Sequence, residues 1–199
     1  MSVVVSPKWA IVTAGLWLLG VGVPSPSRAE KRAIDVQRSV MKVYAYKTGL
    51  FSVFAHNHEI LAPIAAGAVE ESANPSVELR VESAKLQVLD PKVSDKDRAE
   101  IQKTMLGPEV LDTDRYAEIR FQSSAVEKKA DGRWTVRGNL ELHGQTRPIA
   151  FDVSGENGNY RGSAKIKQSE FAIKPVSLAG GTVKVKDEIQ IEFEILLSQ

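Results

Sequence analysis

Cysteine is absent from the 199 residues of the chain, and this absence excludes several classes of protein. Without a thiol the chain can form no disulfide, no thiolate metal site and no cysteine nucleophile, and it cannot be anchored through a lipid-modified cysteine. Histidine is almost as scarce, with three residues in all. Any chemistry that relies on imidazole therefore depends on His56, His58 and His143.

An excess of charge of either sign is also missing, because 26 lysine and arginine residues face 25 aspartate and glutamate residues. The two signs are interspersed along the chain, as on an ordinary solvated surface. This balance gives no electrostatic reason to expect nucleic acid or an anionic membrane surface as a partner.

Motifs of the common enzyme classes are missing as well. The chain has no Gly-x-Ser-x-Gly nucleophile elbow, no Gly-x-Gly-x-x-Gly fingerprint and no P-loop. Asp112 and Asp114 flank a turn signal, where two carboxylates are expected to cap the turn rather than to act as acid and base. We therefore expect no enzymatic activity and no cofactor.

The first 29 residues have the pattern of a secretory signal peptide. One early cation, Lys8, precedes an uncharged apolar run over residues 9–23, and Ser27 and Ala29 supply the small residues of a cleavage site. The run is shorter than the ~20 residues that cross a bilayer, which disfavours an uncleaved anchor. We expect cleavage after Ala29, export, and one soluble domain over residues 30–199 without a stable membrane span.

Alternation of apolar and polar residues with a period of two recurs after this leader. In DEIQIEFEIL, Ile189, Ile191, Phe193 and Ile195 alternate with polar residues, which indicates a strand with one dry face and one wet face. VELRV and RWTVRGNLEL repeat the pattern, and segments rich in Gly, Asn, Asp and Pro separate the strands. The sequence therefore predicts an all-β fold of antiparallel strands.

One segment departs from this alternation and predicts a helix. Ser94 can cap the first turn, Asp97 stands at the third helical position, and Gly107 with the proline after it ends the helix. Ile101 and Met105 are four residues apart and share one helical face. We expect the helix to lie against the sheet as a lid or plug.

Many short antiparallel strands with a single helix are typical of a closed barrel or of a sandwich, and alternation alone does not choose between them. A barrel removes the exposed strand edges that invite aggregation. A barrel of about eight strands can also enclose one small ligand.

Four segments in chain order resemble the YceI-like family of bacterial periplasmic proteins. The most specific of them are the block LDTDRYAEIRFQS and the hairpin VRGNLELHGQTRP, and together the four span almost all of residues 30–199. The resemblance implies a closed antiparallel lipocalin-like barrel of about eight strands with one α-helix. It also implies a periplasmic location, a polyisoprenoid or similar long-chain lipid bound inside the barrel, and no catalysis.

Two segments differ from the pattern of that family. HNHEI stands where the family commonly has a glycine-rich start of a strand. In QSEFAIKP, Glu170 and Ala172 take the places of an acidic residue and a glycine on either side of Phe171.

Apolar side chains can hold such a lipid without polar contacts, because each methylene removed from water contributes about 0.8 kcal/mol. The candidates for ligand contact are aromatic residues and two closely spaced histidines: Phe51, Phe54, His56, His58, Phe121, Trp134, Phe151 and Phe171. Aromatic residues at strand positions are also ordinary core residues in many proteins. Phe51 and Phe54 are in an expected loop, where they can gate an opening or simply anchor the loop.

His56 and His58 would point to the same face if both lay in one strand. Three interpretations of the pair stay open: hydrogen bonding where a loop enters a strand, contact with the head group of a ligand, or a metal site completed by His143. The last of these defines an alternative function, that of a metal-dependent enzyme or metal-binding protein.

Overall fold

The computed structural model describes residues 31–48, 57–178 and 183–199. In these residues the chain forms one α-helix, α1 (Asp95–Leu106), and twelve strands: β1 (Lys31–Ala33), β2 (Val40–Thr48), β3 (His58–Leu61), β4 (Ile64–Glu70), β5 (Ser76–Glu82), β6 (Gln87–Val88), β7 (Glu118–Ala130), β8 (Arg133–Leu142), β9 (Gln145–Glu156), β10 (Asn159–Lys167), β11 (Ser177–Leu178) and β12 (Val183–Leu196). Short 3-10 helices lie at Ser83–Lys85 and Gln168–Phe171. Within this part of the chain, no helix combines the length and the apolar character that crossing a membrane requires.

All twelve strands belong to one antiparallel sheet. Eleven follow one another in the hydrogen-bonded order β1-β4-β5-β7-β8-β9-β10-β12-β2-β3-β6, and β11 pairs with β12. The all-β class, the antiparallel pairing and the single helix are confirmed, whereas closure into a barrel stays a prediction. The sheet has more strands than the expected eight because β1, β3, β6 and β11 contain two to four residues, too few to show alternation.

Tight reversals connect the long strands from β7 to β10, as the turn residues predict. His143 and Gly144 join β8 to β9, and Asn157 and Gly158 join β9 to β10. All four residues have φ values between 50° and 79°. Positive φ at both central residues gives the turn a twist that matches the twist of the flanking strands.

Alternation along the strands separates an inner, apolar face from an outer, polar face. In β8, Val136, Gly138, Leu140 and Leu142 are buried, while Arg137, Asn139 and Glu141 between them are exposed. The main cluster of buried apolar residues lies on this inner face and extends to Met105 of α1.

Helix α1 begins and ends where the sequence predicts. The hydroxyl of Ser94 accepts a hydrogen bond from the N–H of Asp97 at 3.2 Å, and Gly107 follows the last helical residue. Gln102 ties the helix to the sheet, since its amide donates to the carbonyl of Leu86 and accepts from the N–H of Val88, each at 2.7 Å. The helix is therefore fixed beside the short strand β6.

Candidate binding cavity

A cavity of about 1160 Å³ lies between the inner face of the sheet and helix α1. Alternate residues of β2, namely Met41, Val43 and Ala45, line it, as does the predicted apolar face of α1 with Ile101 and Met105. Small-molecule sites usually measure roughly 300–1,000 Å³ and are mostly apolar with a few polar groups. The space is thus large enough for a long apolar guest.

Three phenylalanine rings form a row along this cavity. The centroids of Phe121 and Phe151 are 5.4 Å apart, and those of Phe151 and Phe193 are 5.6 Å apart. The ring planes meet at 54° and 77°, which are tilted and edge-to-face arrangements that aromatic pairs favour. The row presents a continuous apolar surface to the cavity.

Two glycines inside strands make room for the outer rings of this row. A Cβ atom at Gly138 would lie 2.5 Å from Cζ of Phe121, and one at Gly162 would lie 2.6 Å from Cζ of Phe193. Sequence reasoning missed both contacts. The available signal was a glycine within an alternating strand, which often marks the close approach of another group.

Four of the eight predicted site residues lie together around the cavity. These are His58, Phe121, Trp134 and Phe151. Phe193, whose alternation marked it as an inward residue, joins them. Three others, Phe51, Phe54 and His56, lie outside the described residues.

Phe171 occupies a different environment from these residues. Its side chain is fully buried, and it is not among the described residues that line the cavity. It belongs to the 3-10 helix at Gln168–Phe171 rather than to a strand, so that alternation does not decide where its ring points. Phe171 is a core residue in this structure.

His58 begins β3 and forms a hydrogen bond with a buried carboxylate. Its Nδ1 lies 2.6 Å from Oδ2 of Asp90, whose other oxygen, Oδ1, accepts from the N–H of Glu59 at 2.7 Å. The Asp90 side chain is 1% exposed, so these bonds replace the water that a carboxylate would otherwise require. Asp90 is distant in sequence, and no local signal linked it to His58.

His143 lies in the turn between β8 and β9. Its ring packs against Tyr116 with centroids 4.5 Å apart, and its Nδ1 lies 3.1 Å from the carbonyl oxygen of Phe171. Among the residues that the structure describes, no group of three or more His, Cys, Asp or Glu side chains could hold a metal ion. The described surroundings of His58 instead match hydrogen bonding at the start of a strand, on the wall of a cavity.

A second polar cluster lines the cavity around Glu71. Its carboxylate accepts hydrogen bonds from the hydroxyl of Tyr160, from Arg32 at 2.8 Å and from the N–H of Gly158 at 3.2 Å. Burial opposes ionisation of Glu71, but the bonds from Tyr160 and Arg32 outweigh it and hold the pKa of the carboxyl below its usual range. Burial and the adjacent Glu71 raise the pKa of Tyr160 to about 12.

Two solved structures have a similar fold. BcnA of Burkholderia cenocepacia matches with a TM-score of 0.65 and 18% identity, covering 83% of this chain and 99% of that one. A polyisoprenoid binding domain from Saccharophagus degradans matches with a TM-score of 0.55 and 11% identity, covering 85% of this chain and 99% of that one. At these identities the likeness shows the fold.

The chain belongs to the YceI-like family, because the model of the YceI-like domain matches residues 33–197. A UPF0312 protein of Vibrio cholerae is 26% identical over 114 residues, which cover 52% of this chain and 59% of that protein. A UPF0312 protein of Vibrio parahaemolyticus is 30% identical over 115 residues, covering 53% and 59%. The matched region spans about three-fifths of the length of these curated relatives.

Proposed function

We propose that this chain is a periplasmic, non-enzymatic binding or carrier protein that encloses a polyisoprenoid or similar long-chain lipid within a closed barrel. The observation that carries the proposal is the cavity of about 1160 Å³ with its mostly apolar wall. The similar fold of the Saccharophagus degradans domain, described as polyisoprenoid-binding, supports the choice of ligand class.

In this proposal the barrel closes through the segment that contains β3 and β4. Only Ala62 and Pro63 separate these strands, and the N–H of Ala62 donates to the carbonyl of Met41 in β2 at 2.9 Å. One continuous segment thus pairs with β2 through β3 and with β5 through β4. If β3 and β4 are counted as one bent strand, this strand joins β2 to β5. Together with the series β5-β7-β8-β9-β10-β12-β2 it would form a ring of eight strands.

A bridge between the chain ends supports the same closure. Ile34, directly after β1, pairs with Leu197, directly after β12. The N–H of Ser198 donates to the carbonyl of Ala33 at 2.8 Å, and the N–H of Asp35 donates to that of Leu196 at 2.7 Å. Because β1 also pairs with β4, these bonds link two distant parts of the strand order.

Hydrophobic burial favours long chains as ligands. At about 0.8 kcal/mol per methylene, a chain of ~20 carbons gains roughly 16 kcal/mol when it is fully enclosed. Association costs about 4–15 kcal/mol, so a chain of ~10 carbons gains too little to offset the upper end of that range. Affinity should therefore increase steeply with chain length until the cavity is full.

Lipid extraction tests this proposal. Protein purified without a histidine tag is extracted with organic solvent, and we expect mass spectrometry to detect about one long-chain lipid per chain. Phe151→Asp, which places a charge on the cavity wall, should abolish lipid retention. Ala150→Asp, on the exposed side of the same strand, is the matched control and should retain the lipid.

Two results would overturn the proposal. One is wild-type protein that releases no lipid and takes up no added geranylgeraniol. The other is element analysis that finds a stoichiometric transition metal lost in His58→Ala, which would favour the alternative function of a metal-binding protein or metal-dependent enzyme.

The periplasmic location is a part of this proposal with its own test. The apolar leader and the small residues before the expected cleavage site support export. Mature protein recovered from the periplasmic fraction should begin at Glu30. A mature chain that retains Met1 and stays with the membrane fraction would contradict cleavage.

A further inference from the structure

We propose that Nε2 of His58 accepts a hydrogen bond from the hydroxyl head group of the lipid, and that Asp90 is the positioning residue that holds the imidazole in the required tautomer. The inference rests on the proposed lipid-binding function and narrows the ligand to a long-chain alcohol or phenol. It is carried by the contact between Nδ1 of His58 and Oδ2 of Asp90 at the wall of the cavity.

Strand alternation directs the His58 side chain towards the cavity. In β3, His58 and Ile60 line the cavity, as does Ala62 just beyond the strand, while Glu59 points away and bonds to Lys42. The facing residue on β2, Ala45, lines the same cavity and has a small side chain. The imidazole is therefore a polar group on a wall that is otherwise mostly apolar.

Asp90 determines which imidazole nitrogen carries the proton. An ionised carboxylate can only accept hydrogen bonds, and the N–H of Glu59 already donates to Oδ1 of Asp90. Nδ1 of His58 must then be the donor to Oδ2. In the neutral imidazole this leaves a lone pair on Nε2, which makes Nε2 an acceptor.

Nε2 has no hydrogen-bond partner among the residues that the structure describes, whereas Nδ1 is fully engaged. The His58 side chain is 24% exposed and lines the cavity, so a ligand in the cavity can contact the imidazole. A hydroxyl hydrogen is the group that complements an accessible acceptor on an apolar wall. An ether or a hydrocarbon offers no such hydrogen.

Lysine side chains on the same cavity have the opposite chemistry. Lys92 and Lys184 line it and can only donate, so they would favour an anionic head group. Comparing an alcohol with its methyl ether isolates the acceptor role of His58 from the effect of these cations. The phosphate ester of the same isoprenoid alcohol reports the effect of these lysines.

The test measures displacement of a fluorescent apolar probe from lipid-extracted protein by geranylgeraniol, its methyl ether and geranylgeranyl phosphate. Wild-type protein should bind the alcohol about five- to tenfold more tightly than the ether, the factor that one hydrogen bond is typically worth. His58→Phe should bring this ratio near one while ether binding persists. His143→Asn removes an imidazole that does not line the cavity and should keep the wild-type ratio.

Asp90→Asn tests whether Asp90 sets the tautomer of His58. If Asp90 only stabilised the structure around His58, this variant would not change the preference for the alcohol over the ether. The N–H of Glu59 requires the amide oxygen of the new side chain, which turns the amide N–H₂ towards Nδ1 of His58. Nδ1 then accepts, Nε2 carries the proton, and the ether oxygen becomes a suitable partner. The preference for the alcohol should therefore shrink or reverse, although His58 is still present.

His58→Gln keeps an acceptor oxygen and should retain part of the preference, and it serves if His58→Phe does not fold. An unchanged ratio in a folded His58→Phe or His58→Gln protein would overturn the inference. A His58 variant that loses affinity only for geranylgeranyl phosphate would also overturn the inference, because His58 would then act as a donor. If wild-type protein binds none of the three compounds, it is the proposed lipid-binding function that fails.

Discussion

The ring of Phe193 fills the space that a side chain at Gly162 would occupy, since a Cβ atom there would lie 2.6 Å from Cζ of Phe193. The two residues face each other across β10 and β12. The ring of Phe121 approaches Gly138 as closely, with 2.5 Å from Cζ to a Cβ atom placed there, although the two residues lie diagonally across β7 and β8 rather than opposite each other. In both cases the ring packs against bare backbone, and the interior keeps the width that a second side chain would take.

Gly162→Ala should therefore destabilise the protein by about 1–3 kcal/mol, as overpacking of a well-packed interior does. Urea unfolding gives the free energy difference. Ser163→Ala, on the exposed face of the same strand, should stay within about 0.5 kcal/mol of wild type. Phe193→Leu should relieve part of the clash. The double variant should therefore lose less free energy of unfolding than the two single variants lose in sum. Strict additivity would contradict the contact.

Trp134 should report ligand binding through its fluorescence. Of the three tryptophans, Trp9 and Trp17 lie in the proposed signal peptide, so a chain that begins at Glu30 would contain only Trp134, which lines the cavity. Geranylgeraniol should shift the emission maximum to shorter wavelength, because the lipid displaces water from the indole. Trp134→Phe should abolish the signal. Unchanged emission in protein that mass spectrometry shows to be loaded with lipid would contradict a ligand position beside Trp134.

The stabilisation that the Tyr160–Glu71 contact gives the folded protein should decrease as the pH rises from 10 to about 12. Burial and Glu71 raise the pKa of Tyr160 from the ordinary 10.0 to about 12 in the folded state. The folded state thus holds the proton more tightly, so this stabilisation is complete below pH 10 and is lost as the pH rises towards 12. Unfolding by urea across that range should show a shallower loss of stability in Tyr160→Phe than in wild type.

Absorbance at the tyrosinate wavelength provides the control for this pH effect. The difference between the wild-type and Tyr160→Phe titrations should have a midpoint near 12, and Glu71→Gln should move it down without restoring the ordinary value, because burial remains. A midpoint at the ordinary tyrosine pKa in wild-type protein would show that the contact does not form in solution.

Ala172 adopts a left-handed backbone conformation, with φ 58° and ψ 20°, after the 3-10 helix at Gln168–Phe171. Glycine adopts that conformation without steric cost, whereas the Cβ atom of alanine is strained there. Ala172→Gly should therefore stabilise the protein by up to about 1 kcal/mol, measured by urea unfolding. Ala164→Gly, at a buried strand position, is the control and should destabilise it. A loss of stability in Ala172→Gly would contradict the strain.

The local features of this protein were predictable from its sequence. The cap at Ser94, the shared face of Ile101 and Met105, and the turn at Asn157 and Gly158 each depend on residues a few positions apart. The inward position of Phe193 follows from alternation within a single strand. These features could be predicted because propensity and pattern act over the same short range that they describe.

Contacts between distant segments were not predictable in the same way. Asp90 reaches His58 only because β6 pairs with β3, and Glu71 reaches Tyr160 only through the assembled sheet. Phe171 shows the limit of alternation, since the 3-10 helix that carries it turns the ring into the core.

By itself the sequence determined the strand faces, the turns and the limits of the helix, because these follow from the chemistry of neighbouring residues. Only the tertiary structure decided which rings share the cavity, which carboxylate holds His58 and which glycines leave space for phenylalanine. Those contacts depend on strand order and register, and these are set by packing between segments that lie far apart in the chain.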